Sequence, residues 1–171
     1  MKQDRNNITL IGMPGAGKST VGVVLAKMLG YRFLDSDLEI QEKTQKLLHE
    51  LIREYGDEGF LKIENEVNAG ISVSHTVIAT GGSAVYGKDA MEHLREISTV
   101  VYLRLPYESL KSRLGDLHER GVVMRAGQSL KDLMNSRCPL YEKYAHRIID
   151  AEQLDIKNLA EKIIRSTKLS H

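Results

Sequence analysis

The chain has 171 residues, 42% hydrophobic and 27% charged, ordinary globular values that exclude bulk disorder and favour one domain over 1–171. Its 24 basic and 23 acidic residues leave a net charge of +1, without the basic excess of a nucleic-acid-binding domain, so no nucleic-acid partner is expected. A single cysteine, Cys138, excludes an internal disulfide framework and a Cys-rich zinc module. Residues 1–7 carry no apolar segment like that of a signal peptide, and no apolar run approaches the roughly 20 residues of a membrane span. The expectation is a cytoplasmic protein with no membrane partner.

Strand and helix patterns alternate along the chain. A β-prone run over 8–11 ends at Gly12. Helix is expected over 18–29, with Val21, Val24, Leu25 and Met28 on one stripe and Gly30 as its stop. A second strand over 31–34 ends at Asp35. Residues 38–71 read as mostly helical, broken near 55–59. A third strand over 76–79 runs into Thr80-Gly81-Gly82. Helix over 89–96, strand over 99–103 and a helix opened by Pro106 follow. Residues 115–128 carry several glycines and charges without a period, and read as a mobile lid. Helix over 130–145, interrupted at Pro139, a fifth strand over 148–150 and a helix over 156–166 complete the chain. Short apolar strands alternating with amphipathic helices imply a parallel sheet covered on both faces. Ligands of such sheets bind beyond the carboxyl ends of the strands.

Gly12-Met13-Pro14-Gly15-Ala16-Gly17-Lys18-Ser19 matches G-x-x-x-x-G-K-[ST]. Glycines at this spacing let backbone N–H groups approach phosphate oxygens, and the following helix aims its positive end at the same anion. Lys18 is expected to reach the β- and γ-phosphates and the Ser19 hydroxyl to ligate Mg²⁺. Gly12, Gly15, Ala16, Gly17 and Thr20 complete the candidate ATP cradle. A dinucleotide fingerprint is excluded because Thr20 stands where its third glycine belongs. The Asn-Lys-x-Asp of a GTPase is absent, and no acid follows the third strand as in motor ATPases. The metal's acidic partner is therefore sought at Asp35, with Asp37 left for an acceptor hydroxyl. The alternative reading makes Asp37 a first-turn acid or helix cap, or Ser36 the cap.

The ordered set Gly12–Thr20, Phe33-Leu34-Asp35-Ser36-Asp37, Phe60 with Glu64, Ile78-Ala79-Thr80-Gly81-Gly82, Arg113 and Arg137-Cys138-Pro139-Leu140-Tyr141 resembles the shikimate kinase family along nearly the whole chain. The resemblance implies an α/β, three-layer P-loop kinase fold. Its sheet would have five parallel strands in the order 2-3-1-4-5, with an acceptor-binding helical segment at 36–72 and a mobile lid at 115–128. It implies ATP- and Mg²⁺-dependent phosphoryl transfer to a hydroxyl of a small carboxylated acceptor, as in the conversion of shikimate to shikimate 3-phosphate, by a monomer or weak homodimer. By carry-over, Asp37 holds the acceptor hydroxyl, Gly81 and Gly82 line its site, and Arg137 clamps its carboxylate. Arg113 stacks on adenine, and a lid arginine, Arg120 or Arg125, reaches the phosphates.

Three places depart from the family pattern. Phe60-Leu61-Lys62-Ile63-Glu64 stands where the family has Phe-Arg-x-x-Glu; Ser83 stands where it has a third glycine; and the lid lacks the usual Arg-Pro-Leu-Leu. Phe60, Ile63 and Val67 share one helical stripe, expected to face the core, and Leu61, Glu64 and Asn68 share a second. If the second faces the acceptor, Glu64 is left unpaired, which suits a hydroxylated amino acid such as homoserine. The alternative is that Leu61 only widens the core stripe. Readings of another class are a non-catalytic ATP-binding module, disfavoured by intact Lys18, Ser19, Asp35 and Asp37, and a nucleic-acid-directed nucleotide-binding protein. A nucleoside monophosphate kinase would need more arginines near Leu61.

Overall fold

The computed structural model describes residues 5–114 and 127–167. Strand β1, Asn7–Ile11, is buried at every position, as is β3, Thr76–Ala79. With β2 (Arg32–Asp35), β4 (Ser98–Arg104) and β5 (Arg147–Asp150) they form one sheet in the order β2-β3-β1-β4-β5. All four pairings are parallel, with Thr9 beside Ile78 of β3 and Val100 of β4. The continuous apolar runs belong to the inner strands, covered on both faces. The edge strands β2 and β5 are mostly half-buried or exposed.

Helices cover the sheet. Helix α1 (Lys18–Leu29) packs against the closing helix α7 (Ile156–Thr167), while α4 (Lys88–Ile97) packs against α3 (Leu48–Ala69) and α6 (Leu130–Tyr144). Helix α5 (Tyr107–Leu114) leads to the edge of the described segment. The main core joins sheet and helices, with Ile8, Leu10, Leu25, Ile78, Val101 and Leu103 at its centre. A second, smaller core of Ile40, Leu51, Phe60 and Val67 lies between α2 (Ser36–Thr44) and α3. The α2–α3 unit is thus internally packed while rooted in the sheet through Asp35 and Ile71.

Of three local expectations, two are corrected and one holds. The segment expected as helix over 38–71 is two helices, parted at residues 45–47, where Gln45 adopts the left-handed conformation (φ 57°). The break expected at 55–59 is present, as a kink in α3 at Gly56, whose φ of 72° and ψ of 177° only glycine adopts without strain. The interruption expected at Pro139 is absent: α6 continues through it, anchored on both sides by the buried Arg137 and Tyr141. A 3-10 turn at Ala84–Tyr86, which no periodicity marked, follows the Gly81-Gly82 segment. The expected lid, with Arg120 and Arg125, lies outside the described residues apart from Gly127 and Gln128.

Asn7 ties the amino end of the sheet together. Its side-chain nitrogen donates to the carbonyls of Val73 (2.9 Å) and Ile97 (3.0 Å), and its oxygen accepts from the Thr76 amide (3.0 Å). Removing it strands polar groups that are shut off from water. Asn7→Ala is expected to lower the unfolding free energy by about 3 kcal/mol, read from the urea midpoint; a loss below about 0.5 kcal/mol would show that water replaces these bonds.

Candidate active site

The loop between β1 and α1 places Lys18 at the carboxyl edge of the sheet. Its ammonium donates to the carbonyls of Gly12 (2.7 Å) and Met13 (2.8 Å), and the side chain is only 7% exposed. Burial lowers its pKa to about 8, and the nearby Asp37 carboxylate opposes that shift. Gly17 caps α1 in the left-handed conformation (φ 86°), and no side-chain hydrogen bond caps the helix there. The first amides of α1 are therefore available to an anion. Of the residues read as the cradle, Gly15, Gly17, Lys18, Ser19 and Thr20 line a cavity of about 300 Å³. Gly12 and Ala16 do not; Gly12 backs onto the Leu103 carbonyl and Ala16 is buried in the core. Arg113 stands at the outer rim of the loop, where its guanidinium donates to the Gly15 carbonyl (3.2 Å).

Two aspartates at the tip of β2 take different tasks. One Asp35 oxygen accepts from the Asp37 amide (2.9 Å), capping α2, and the other accepts from the Ser19 hydroxyl (3.2 Å). The cap is thus Asp35, not Ser36 or Asp37, so the Asp37 side chain is left to face the cavity. Burial raises the Asp37 pKa to about 6, the Asp35 charge adds to the shift, and Lys18 opposes it. Ser19 and Asp35 present two hard oxygens side by side. That donor set suits Mg²⁺, which takes one or two protein oxygens and keeps water and phosphate for its remaining positions.

Backbone without side chains closes the opposite wall. A Cβ on Gly81 would lie 2.7 Å from Asp37 Oδ1 and 3.1 Å from Glu64 Oε2, and one on Gly82 would lie 2.7 Å from Pro14 and 2.8 Å from Arg137 Nη1. Glycine at both positions lets α2, α3, α6 and the phosphate loop converge on one strand end. The Tyr141 hydroxyl donates to the Gly82 carbonyl (2.6 Å) and fixes this segment. Arg137 is 1% exposed, lies over the Tyr86 ring at 5.5 Å, and lines the cavity.

One of the departures from the family pattern, Ser83, meets Glu64. Glu64 is 2% exposed and accepts a 2.6 Å hydrogen bond from Ser83, so it is not the unpaired group that its sequence context suggested. Burial raises its pKa to about 7, against the opposing pull of the Ser83 hydroxyl. Leu61 does not line the cavity; it packs against the small core of α2 and α3. Phe60, expected only as core, contributes to both core and cavity wall, as does Leu48 at the start of α3. No sequence signal marked Leu48, which follows the left-handed turn at Gln45 that separates α2 from α3.

The raised carboxyl pKa values have a consequence for stability. Asp37 and Glu64 hold their protons more tightly folded than unfolded, so their stabilisation is complete below the ordinary carboxylate pKa. It is lost as pH rises through about 6 and about 7, the folded values. Lys18, shifted downward, acts only at higher pH. Unfolding free energy is expected to fall between pH 5 and 7.5, with a Glu64 share on the order of 3 kcal/mol. Urea titrations should show a flatter profile for Glu64→Gln; an unchanged slope would place the titration elsewhere.

Comparison with known proteins agrees with this geometry. The family model described as shikimate kinase matches residues 14–168. A shikimate kinase of Acinetobacter baumannii is 40% identical over 162 residues, covering 93% of this chain and 90% of its own. Shikimate kinase 2 of Yersinia enterocolitica is 36% identical over 155 residues, covering 85% of this chain and 87% of its own. Among solved structures, shikimate kinase from A. baumannii in complex with shikimate superimposes with a TM-score of 0.87 at 38% identity, covering 98% of this chain and 97% of the other. The Aquifex aeolicus enzyme gives 0.80 at 28% identity, covering 95% of this chain and 96% of its own. The phosphate loop, the strand order and these relatives place this chain in the shikimate kinase family, small-molecule kinases that transfer a phosphoryl group to an alcohol.

Proposed function

We propose that this chain uses ATP and Mg²⁺ to phosphorylate a hydroxyl of shikimate. The observation that carries the reading is one cavity lined by Lys18, Asp37, Gly81, Gly82 and Arg137. That cavity holds a phosphate cradle, a carboxylate for the hydroxyl and a guanidinium for the acceptor's carboxylate. The relative solved with shikimate supports the choice of acceptor. Ser83 holds one oxygen of Glu64, which leaves a single acceptor oxygen at this position where the sequence had suggested an unpaired carboxylate.

The residues divide the work as follows. The amides at the start of α1 and the Lys18 ammonium hold the ATP phosphates, and Arg113 packs on the adenine side of the loop. Ser19 and Asp35 would hold Mg²⁺, which supplies positive charge against the phosphates when bound. Arg137 orients the acceptor through its carboxylate, since a guanidinium offers two parallel donors to it. Asp37 accepts a hydrogen bond from the acceptor hydroxyl and aims its oxygen at the γ-phosphorus. As the new O–P bond forms, the bond to the β-phosphate oxygen breaks, ADP leaves, and the hydroxyl proton passes to Asp37. Its pKa near 6 leaves it ionised at neutral pH, yet basic enough to take that proton. With a loose transition state, positioning and charge neutralisation contribute more than basicity.

Shikimate-dependent release of ADP tests the assignment. Wild-type protein is expected to turn over shikimate far faster than homoserine, and the reverse preference would overturn the acceptor. Lys18→Ala and Asp37→Asn are each expected to lower kcat by about 100-fold or more. Arg137→Lys keeps the charge but loses the fork. It should raise the KM for shikimate about tenfold and leave the KM for ATP within about twofold; equal effects on both would remove the clamp role.

A further inference from the structure

Ser83 occupies the amino-terminal flank of the 3-10 turn Ala84–Tyr86, a position where a hydroxyl ordinarily caps the turn. It makes no such cap. Its hydroxyl instead crosses to α3 and donates to Glu64 Oε1 at 2.6 Å, with both residues buried. The second oxygen, Glu64 Oε2, is buried and has no hydrogen-bond partner among the described residues. It lies against Gly81, beside Asp37 Oδ1, on the wall of the cavity that also holds Lys18 and Arg137.

An acceptor atom in that state carries a desolvation cost that a donor on a bound molecule would relieve. A glutamate side chain has three rotatable bonds, so where Oε2 points depends on what holds Oε1. Nothing else on α3 does this: Leu61 is packed into the small core, and Lys62 is on the exposed side. The charged groups facing Glu64 are Asp37 from α2 and Arg137 from α6. They set its field, while Ser83 supplies its hydrogen bond.

We infer that Ser83 is a positioning residue for the acceptor: it pins Glu64 through one oxygen so that the other receives a hydrogen-bond donor of the bound acceptor, beside the hydroxyl held at Asp37. The donor is a second hydroxyl in a polyol acid such as shikimate, or an ammonium in a hydroxy amino acid. The inference rests on the kinase reading proposed above. It adds that the serine at this position and the leucine at 61 belong together, because Glu64 takes its partner from the Gly81–Ser83 segment and not from its own helix.

The test uses the full chain with ATP and either shikimate or homoserine, comparing wild type, Ser83→Ala and Ser83→Thr. The acceptor that wild type turns over identifies the source of the donor. On that acceptor, Ser83→Ala is expected to raise KM about tenfold, with kcat within about threefold and the KM for ATP unchanged, and Ser83→Thr should restore the wild-type KM. The carbon-13 titration of the Glu64 carboxyl, near 7 in wild type, should move upward in Ser83→Ala, because the hydroxyl's donation stabilises the ionised form. Wild-type turnover with an unchanged acceptor KM or an unmoved Glu64 titration in Ser83→Ala overturns the inference. Absence of wild-type turnover on both acceptors defeats the kinase reading itself.

Discussion

The site depends on keeping opposite charges close together and out of water. Lys18, Asp37, Glu64 and Arg137 share one cavity, and Lys18, Glu64 and Arg137 are less than one-tenth exposed. Desolvation is the largest influence on the titration of Lys18, Asp37 and Glu64, and it pushes each toward its neutral form. Lys18 draws Asp37, and the Ser83 hydroxyl and Arg137 draw Glu64, back toward the ionised form, while the neighbouring carboxylates oppose this. Such a cluster is costly to assemble but effective toward a polyanion, because charge interactions are strong where water is excluded.

The fold meets that cost by bringing bare backbone into the centre. Gly81 and Gly82 leave no room for side chains between Asp37, Glu64, Pro14 and Arg137, so four elements converge on the carboxyl end of β3. The α2–α3 unit brings two of the carboxyl groups and carries its own small core. Its orientation is set at the sheet by the Asp35 cap and within α3 by the Gly56 kink. Asp35 links the two halves of the site: one oxygen starts α2 and the other reaches Ser19 of the phosphate loop.

Much of this was legible before any coordinates. The phosphate loop, the alternation of strand and helix, and the paired aspartates are local patterns, and local patterns survive in a linear reading. Residues 60–64 and 81–83 were legible as departures, but their meaning was not. Helical spacing put Leu61 and Glu64 on one stripe, yet Leu61 turns to the small core while Glu64 lines the cavity. A wide stripe touches two environments, and which residue meets which depends on the elements packed above it. The Glu64–Ser83 bond joins residues 19 positions apart, and no periodicity relates them.

The linear chain alone determined a nucleotide-binding α/β protein with its cradle at Gly12–Thr20, because glycine spacing and a lysine at a helix start act through their immediate neighbours. Tertiary packing alone decided that Asp35 caps while Asp37 faces the cavity, that Glu64 takes its partner from Ser83, and that Leu48 and Phe60 wall the cavity. Those outcomes depend on which buried polar groups find partners once α2, α3, α6 and the strand ends are pressed together, and that pairing is a property of the assembled interior.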